Sequence, residues 1–97
     1  MSQIEGAKFQ EEAYHLSVTK KGILLEATTP KGMYWGRQTL EQLKFTKNKK
    51  TWVPQCDITD WPAFRIRGFM HDVGRSYIPL EELKREISLL SRYKINV

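Results

Sequence analysis

Cysteine is almost absent from this sequence: Cys56 is the only one among 97 residues. One thiol makes neither a disulfide framework nor a cysteine-based metal site. Histidine is nearly as scarce. His15 and His71 lie far apart, and neither has a second ligand at a metal-binding spacing, so no metal or other cofactor is expected. No apolar run approaches the roughly 18 residues that suggest a membrane-spanning helix. The N-terminal stretch MSQIEGAKFQEEAY has no positive segment leading into an apolar core, so it does not read as a signal peptide, and the compartment is left unassigned. Gly-x-Ser-x-Gly, phosphate-loop and dinucleotide fingerprints are also missing.

What is present is ordinary for a chain that folds. Hydrophobic residues make up 40% and charged residues 28%, a balance that argues against disorder. The net charge is +5. Lysine clusters in one place, Lys44–Lys50 (KFTKNKK), and no aromatic is seen interleaved with it as a stacking platform. That run reads as a solvated loop, and no nucleic-acid partner is expected.

Tyr14, Leu16 and Val18 alternate with His15 and Ser17, the period of a half-buried strand. Lys20-Lys21-Gly22 supplies a turn with a glycine free to take positive φ, and Ile23, Leu25 and Ala27 form the second arm of a hairpin. Thr29-Pro30-Lys31-Gly32 is expected to end that arm. Met33, Gly36, Leu40 and Leu43 then line one helix face, and the neighbouring Tyr34-Trp35 pair is assigned to the core. Thr51 to Ile58 reads as a strand with Pro54 marking an edge or bulge.

After Asp60-Trp61-Pro62 the alternation returns from Phe64 to Met70, which predicts a further strand. Pro79 opens a helix: its missing N–H costs nothing in a first turn, and Glu81 and Glu82 follow where the helix dipole favours acids. Leu80, Leu83, Ile87 and Leu90 form that helix's apolar stripe, and Tyr93–Val97 reads as the start of another strand. Strand, helix and strand in this order make a βαβ unit.

The expected fold class is therefore α+β: a small sheet-plus-helix domain over residues 1–60, followed over residues 61–97 by the truncated start of a parallel α/β system. A lone βαβ leaves its strands without neighbours and its helix with little to cover. Dimerisation or a swapped assembly is the expected consequence.

The segment Asp60-Trp61-Pro62-Ala63-Phe64-Arg65-Ile66-Arg67-Gly68-Phe69-Met70-His71-Asp72-Val73-Gly74-Arg75 resembles the start of the catalytic (β/α)8 barrel in glycoside hydrolase family 20, the β-N-acetylhexosaminidases. That family carries Asp-x-Pro-x-Phe, then Arg-Gly, Asp-Val and a further Arg. Its next helix ends in a Tyr-Lys-x-Asn run, matched by Tyr93-Lys94-Ile95-Asn96. Glu12–Val18 and Gly32–Leu40 resemble the small α+β domain that precedes the barrel. Two positions depart from the pattern: His71 stands where an apolar residue is usual, and Ser76 follows Arg75 where His is common.

The resemblance implies hydrolysis of terminal N-acetyl-hexosamine from glycans, with the substrate's own 2-acetamido group as nucleophile. A Glu protonates the departing oxygen and an adjacent Asp orients the acetamido group. The family carries that pair much later than Val97, so no catalytic residue is expected here and the chain alone is expected to be inactive. The resemblance matches Arg67 to the arginine that hydrogen-bonds hydroxyls of the terminal sugar, a task suited to a guanidinium fork. Asp57 and Asp60 are assigned capping or turn roles. Asp72 is expected to tie down a loop, with Arg75 as its partner. The alternative is a free-standing interaction module with the same fold and no chemistry.

Overall fold

The computed structural model describes residue 4, residues 6–72, residue 74 and residues 77–97. The chain divides into two compact units, residues 1–65 and residues 66–97.

The first unit is a small α+β domain. After a short 3₁₀ turn at Gln10–Glu12, strand β1 (Tyr14–Thr19) forms a hairpin with β2 (Gly22–Ala27). Gly22 sits at φ 144, the positive region that only glycine enters cheaply. Helix α1 (Pro30–Leu43) follows, then the short strands β3 (Phe45–Lys47) and β4 (Lys50–Trp52), then β5 (Cys56–Asp60). The order in the main sheet is β2-β1-β5, antiparallel on both sides of β1. Strand β1 therefore has a hydrogen-bonded neighbour on each edge, and its alternation sends Tyr14, Leu16 and Val18 into the core. Trp35 of α1 completes the buried cluster, while Tyr34 remains exposed against it in an edge-on contact of 4.9 Å between ring centroids. Only Trp35 of the expected core pair is thus buried.

Three local expectations need correction. Thr29-Pro30-Lys31-Gly32 does not only end β2; it starts α1. Thr29 is the N-cap, its hydroxyl accepting from the Gly32 N–H at 3.3 Å, and Pro30 occupies the first helical turn. Gly32 is needed because a Cβ there would overlap the Ala13 carbonyl. The basic run Lys44–Lys50 is neither a plain loop nor without an aromatic among its lysines, for β3 and β4 form a second antiparallel hairpin through it, with Phe45 opposite Trp52 and Lys47 opposite Lys50. Asn48 and Lys49 both take positive φ, 53° and 64°, the backbone of a two-residue type I′ turn. The single strand expected over Thr51–Ile58 is split at Val53–Gln55. Pro54 has no N–H to give a ladder, so β4 ends before it and β5 begins after it.

In the second unit, helix α2 spans Leu80–Arg92, with Glu81 and Glu82 in its first turn and Arg92 in its last. The Pro79 carbonyl accepts from Glu82 and Leu83, so the proline stands at the N-cap. The helix closes in a Schellman arrangement: Ile95 N–H donates to the Leu90 carbonyl at 3.2 Å and Lys94 N–H to that of Ser91 at 3.0 Å. Lys94 takes the left-handed position, φ 60, that is usually glycine's. The strands expected over Phe64–Met70 and Tyr93–Val97 do not form among the described residues. Tyr93 and Lys94 are taken up by the cap of α2 and residues 63–65 bend, so the pairing left between the two segments is confined to one place. The Arg67 carbonyl accepts from Asn96 (2.8 Å) and Val97 (3.1 Å), and Phe69 N–H donates to Val97 at 3.3 Å. Donation from Val97 to Arg67 and from Phe69 to Val97 is the bond exchange of a parallel pair centred on Gly68 and Val97.

Candidate functional site at Arg67

Arg67 lies outside the helices and strands and is half-buried. Its position is fixed by the segment that leaves α2. Its N–H donates to the Asn96 side-chain oxygen at 2.8 Å, and its carbonyl receives the Asn96 N–H at the same distance. Its Nε donates to the Lys94 carbonyl at 2.7 Å. The left-handed turn at Lys94 thus serves two purposes, capping α2 and presenting a carbonyl to the guanidinium. Fixing Nε orients the plane of the planar fork, which carries five N–H donors in all. Such a group can hold hydroxyl or carboxylate oxygens in a set geometry.

The Asp72 carboxylate accepts from the Gly74 N–H at 2.9 Å, the loop-tying role expected of it. The proposed partner Arg75 lies outside the described residues, as does Ser76. His71 pairs through Nδ1 with Glu86 of α2 at 2.7 Å, and Phe69 meets its ring edge-on at 6.1 Å between centroids. A polar residue is accommodated at this family-atypical position because an acid on α2 receives it.

In the first unit, neither aspartate singled out earlier has the capping or turn role expected of it. Asp60 lies in β5 and accepts from the Tyr14 hydroxyl at 2.8 Å; Tyr14 also meets Thr39 of α1 at 2.5 Å. A hydroxyl has one proton, so with Tyr14 donating to Asp60 the Thr39 hydroxyl is the donor to Tyr14. Asp57, on the other face of β5, binds His15 Nε2, while Glu26 of β2 lies 3.6 Å from His15 Nδ1. The hydrogen bond to Asp57 raises the His15 pKa above 6.5; burial opposes it and Glu26 adds to it. Sequence reading missed this trio because it spans three strands. The sign that His15 faces away from the core was already in the alternation.

No group of three or more metal-binding side chains occurs among the described residues, and no described helix is long and apolar enough to cross a membrane.

The family model for glycosyl hydrolase family 20, domain 2, matches residues 1–61. The chain belongs to glycosyl hydrolase family 20. Within it, similarity reaches 43% identity over 86 residues with a β-hexosaminidase of Vibrio furnissii, covering 89% of this chain and 14% of that protein. A β-hexosaminidase of Porphyromonas gingivalis is 35% identical over 94 residues, covering 90% of this chain and 12% of that one. Among solved structures, the family 20 exo-β-N-acetylglucosaminidase of Vibrio harveyi, in complex with N-acetylglucosamine, superposes with a TM-score of 0.85 at 39% identity, over 89% of this chain and 14% of that one. The Flavobacterium johnsoniae chitobiase gives 0.82 at 34% identity, over 93% and 14%. The chain thus spans about one seventh of the length of these family 20 relatives.

Proposed function

We propose that this chain is part of a β-N-acetylhexosaminidase, comprising its small α+β domain and the first strand–helix–strand of a catalytic (β/α)8 barrel. The observation that carries the reading is the 43% identity with the Vibrio furnissii enzyme over 86 residues. A match of that length cannot fit within residues 1–61, so the likeness continues into the second unit. The parallel exchange between Gly68 and Val97 supports the barrel assignment, because βαβ units place successive strands side by side and parallel. Helix α2 supports it too. None of its residues is buried: on its apolar stripe Leu80 and Ile87 are exposed and Leu83 and Leu90 half-buried, as expected of a barrel helix only partly covered by its sheet. The exposed part of that stripe favours self-association.

The whole enzyme then removes terminal N-acetyl-hexosamine from glycans with retention. The substrate's acetamido oxygen attacks the anomeric carbon, a Glu protonates the leaving oxygen, and an Asp holds the acetamido group. The resemblance places neither acid in these 97 residues. Arg67 is the residue assigned to substrate: its guanidinium, oriented through Lys94, donates to hydroxyls of the terminal sugar. The test is steady-state kinetics of the longer enzyme with Arg67→Lys and Arg67→Ala. Loss of a hydrogen bond to a bound hydroxyl raises KM and lowers kcat/KM by about tenfold or more. Unchanged kinetics in both variants would remove Arg67 from the sugar site.

A further inference from the structure

The β3–β4 hairpin carries chemistry that the assigned activity does not use. Residues directly opposite in an antiparallel pair share a face, and alternation returns every second residue to it. Phe45 opposite Trp52 and Lys47 opposite Lys50 therefore lie on one face, with Thr46 and Thr51 on the other. Phe45 and Trp52 are about half exposed, at 48% and 50%. The Trp52 indole N–H donates to the Lys47 carbonyl at 3.3 Å, which ties the ring back to the ribbon. Phe45, Lys47, Asn48 and Trp52 line a shallow cavity of about 360 Å³.

Charge narrows the occupant. From Lys44 to Cys56 there is no acidic residue. Lys44 is paired with Glu41 at 2.7 Å, but no ion pair among the described residues involves Lys47, Lys49 or Lys50. An aromatic pair lies about 7 Å along the strands from a lysine pair, within reach of a lysine side chain from a substituent on a stacked ring. The apolar C–H face of a sugar suits the negative face of an aromatic ring, and ammonium groups suit carboxylate or sulfate.

We propose that this face is an accessory glycan-binding site that takes a pyranose bearing a carboxylate or sulfate group. The choice of sugar over a single-stranded nucleic acid, which also stacks on aromatics beside lysines, rests on membership of a glycoside hydrolase family and on the proposed glycan-hydrolase function. The binding itself does not depend on catalysis and is measurable on this chain.

The experiment is a ¹H–¹⁵N NMR titration of the 97-residue chain with three probes: a hyaluronan hexasaccharide, neutral chitohexaose and oligo-dT. The site predicts shifts at residues 45–52 and at the Trp52 indole N–H with hyaluronan, at lower concentration than with either other probe, weakening as salt rises. Trp52→Ala and the double variant K47Q/K50Q each lower the hyaluronan affinity by about tenfold. The lysine variant alters only exposed side chains, and unchanged β1 and β5 resonances establish that each variant is folded. Tighter binding of oligo-dT, equal binding of chitohexaose, or shifts that avoid the hairpin would each overturn the proposal, as would full affinity in K47Q/K50Q. Failure here leaves the hexosaminidase reading intact, because that reading is tested by hydrolysis in the longer enzyme.

Discussion

The indole N–H of Trp35 donates to the Glu12 carboxylate at 2.9 Å, and both residues are buried, at 8% and 4% exposure. This bond ties α1 to the 3₁₀ turn ahead of β1 inside the core. A carboxylate removed from water must be hydrogen-bonded, so the pair sets the position of the helix as much as it stabilises it. Trp35→Phe keeps most of the apolar contact and removes the donor. Urea unfolding should show a loss of about 1–3 kcal/mol. A change no larger than that of an exposed substitution would mean that the bond contributes little.

His15 supplies a pH dependence with a definite sign. Its pKa is raised in the folded state, first by Asp57, against burial, with Glu26 adding to it. A raised pKa means that the folded protein holds the proton more tightly than the unfolded chain. The stabilisation is fully present below the unfolded value near 6.5 and is lost as pH rises through the higher folded value. Wild type should therefore lose stability relative to His15→Gln between pH 6 and pH 8, and Asp57→Asn should remove most of that difference. Parallel unfolding curves for wild type and His15→Gln across this range would contradict the assignment.

Much of the first unit was legible because burial and alternation coincide. Tyr14, Leu16 and Val18 announce β1, and Gly22 announces the turn that its φ requires. Arg67 is a candidate through resemblance alone, and the structure adds its anchors at Lys94 and Asn96, which no local pattern reveals. The β3–β4 hairpin was missed because its turn is Asn-Lys, without the glycine that usually marks a type I′ turn, and because lysines masked a short alternation. Thr29-Pro30 reads locally as a stop although the same residues form a helix start; Pro79 does open a helix, but from the N-cap rather than the first turn. For Phe64–Met70, alternation predicts which side chains share a face but not whether a neighbour is there to pair with. The His15 trio requires the order β2-β1-β5, which is a tertiary fact.

The two glycines of α1 should respond differently to the same change. A Cβ at Gly32 meets the Ala13 carbonyl, which is backbone, whereas at Gly36 it meets the Leu25 and Tyr14 side chains. Alanine gains up to about 1 kcal/mol in helix propensity at either site. At Gly36 a leucine rotation absorbs part of the overlap, so Gly36→Ala should cost less than about 2 kcal/mol. Gly32→Ala should cost more, since the backbone of residue 13 must move. Equal losses in thermal or urea unfolding would show that the helix can shift as a body.

Lys49 holds a left-handed backbone without glycine's freedom. Lys49→Gly should stabilise the β3–β4 hairpin by about 0.5–1 kcal/mol, since type I′ turns favour glycine and Asn48 already suits the other position. Amide exchange of residues 45–52 is the direct readout: slower exchange is expected, and faster exchange would mean that the chain entropy added by glycine exceeds the relief of strain.

The proposed hexosaminidase function and the proposal that the catalytic acids lie outside these residues meet in one assay: release of the aryl group from an aryl N-acetyl-β-D-glucosaminide. The account predicts cleavage by the longer protein that contains this chain, and none above background by the purified 97-residue chain. Turnover by the chain alone, abolished by substitution of one of its own acids, would contradict it, as would an inert longer protein.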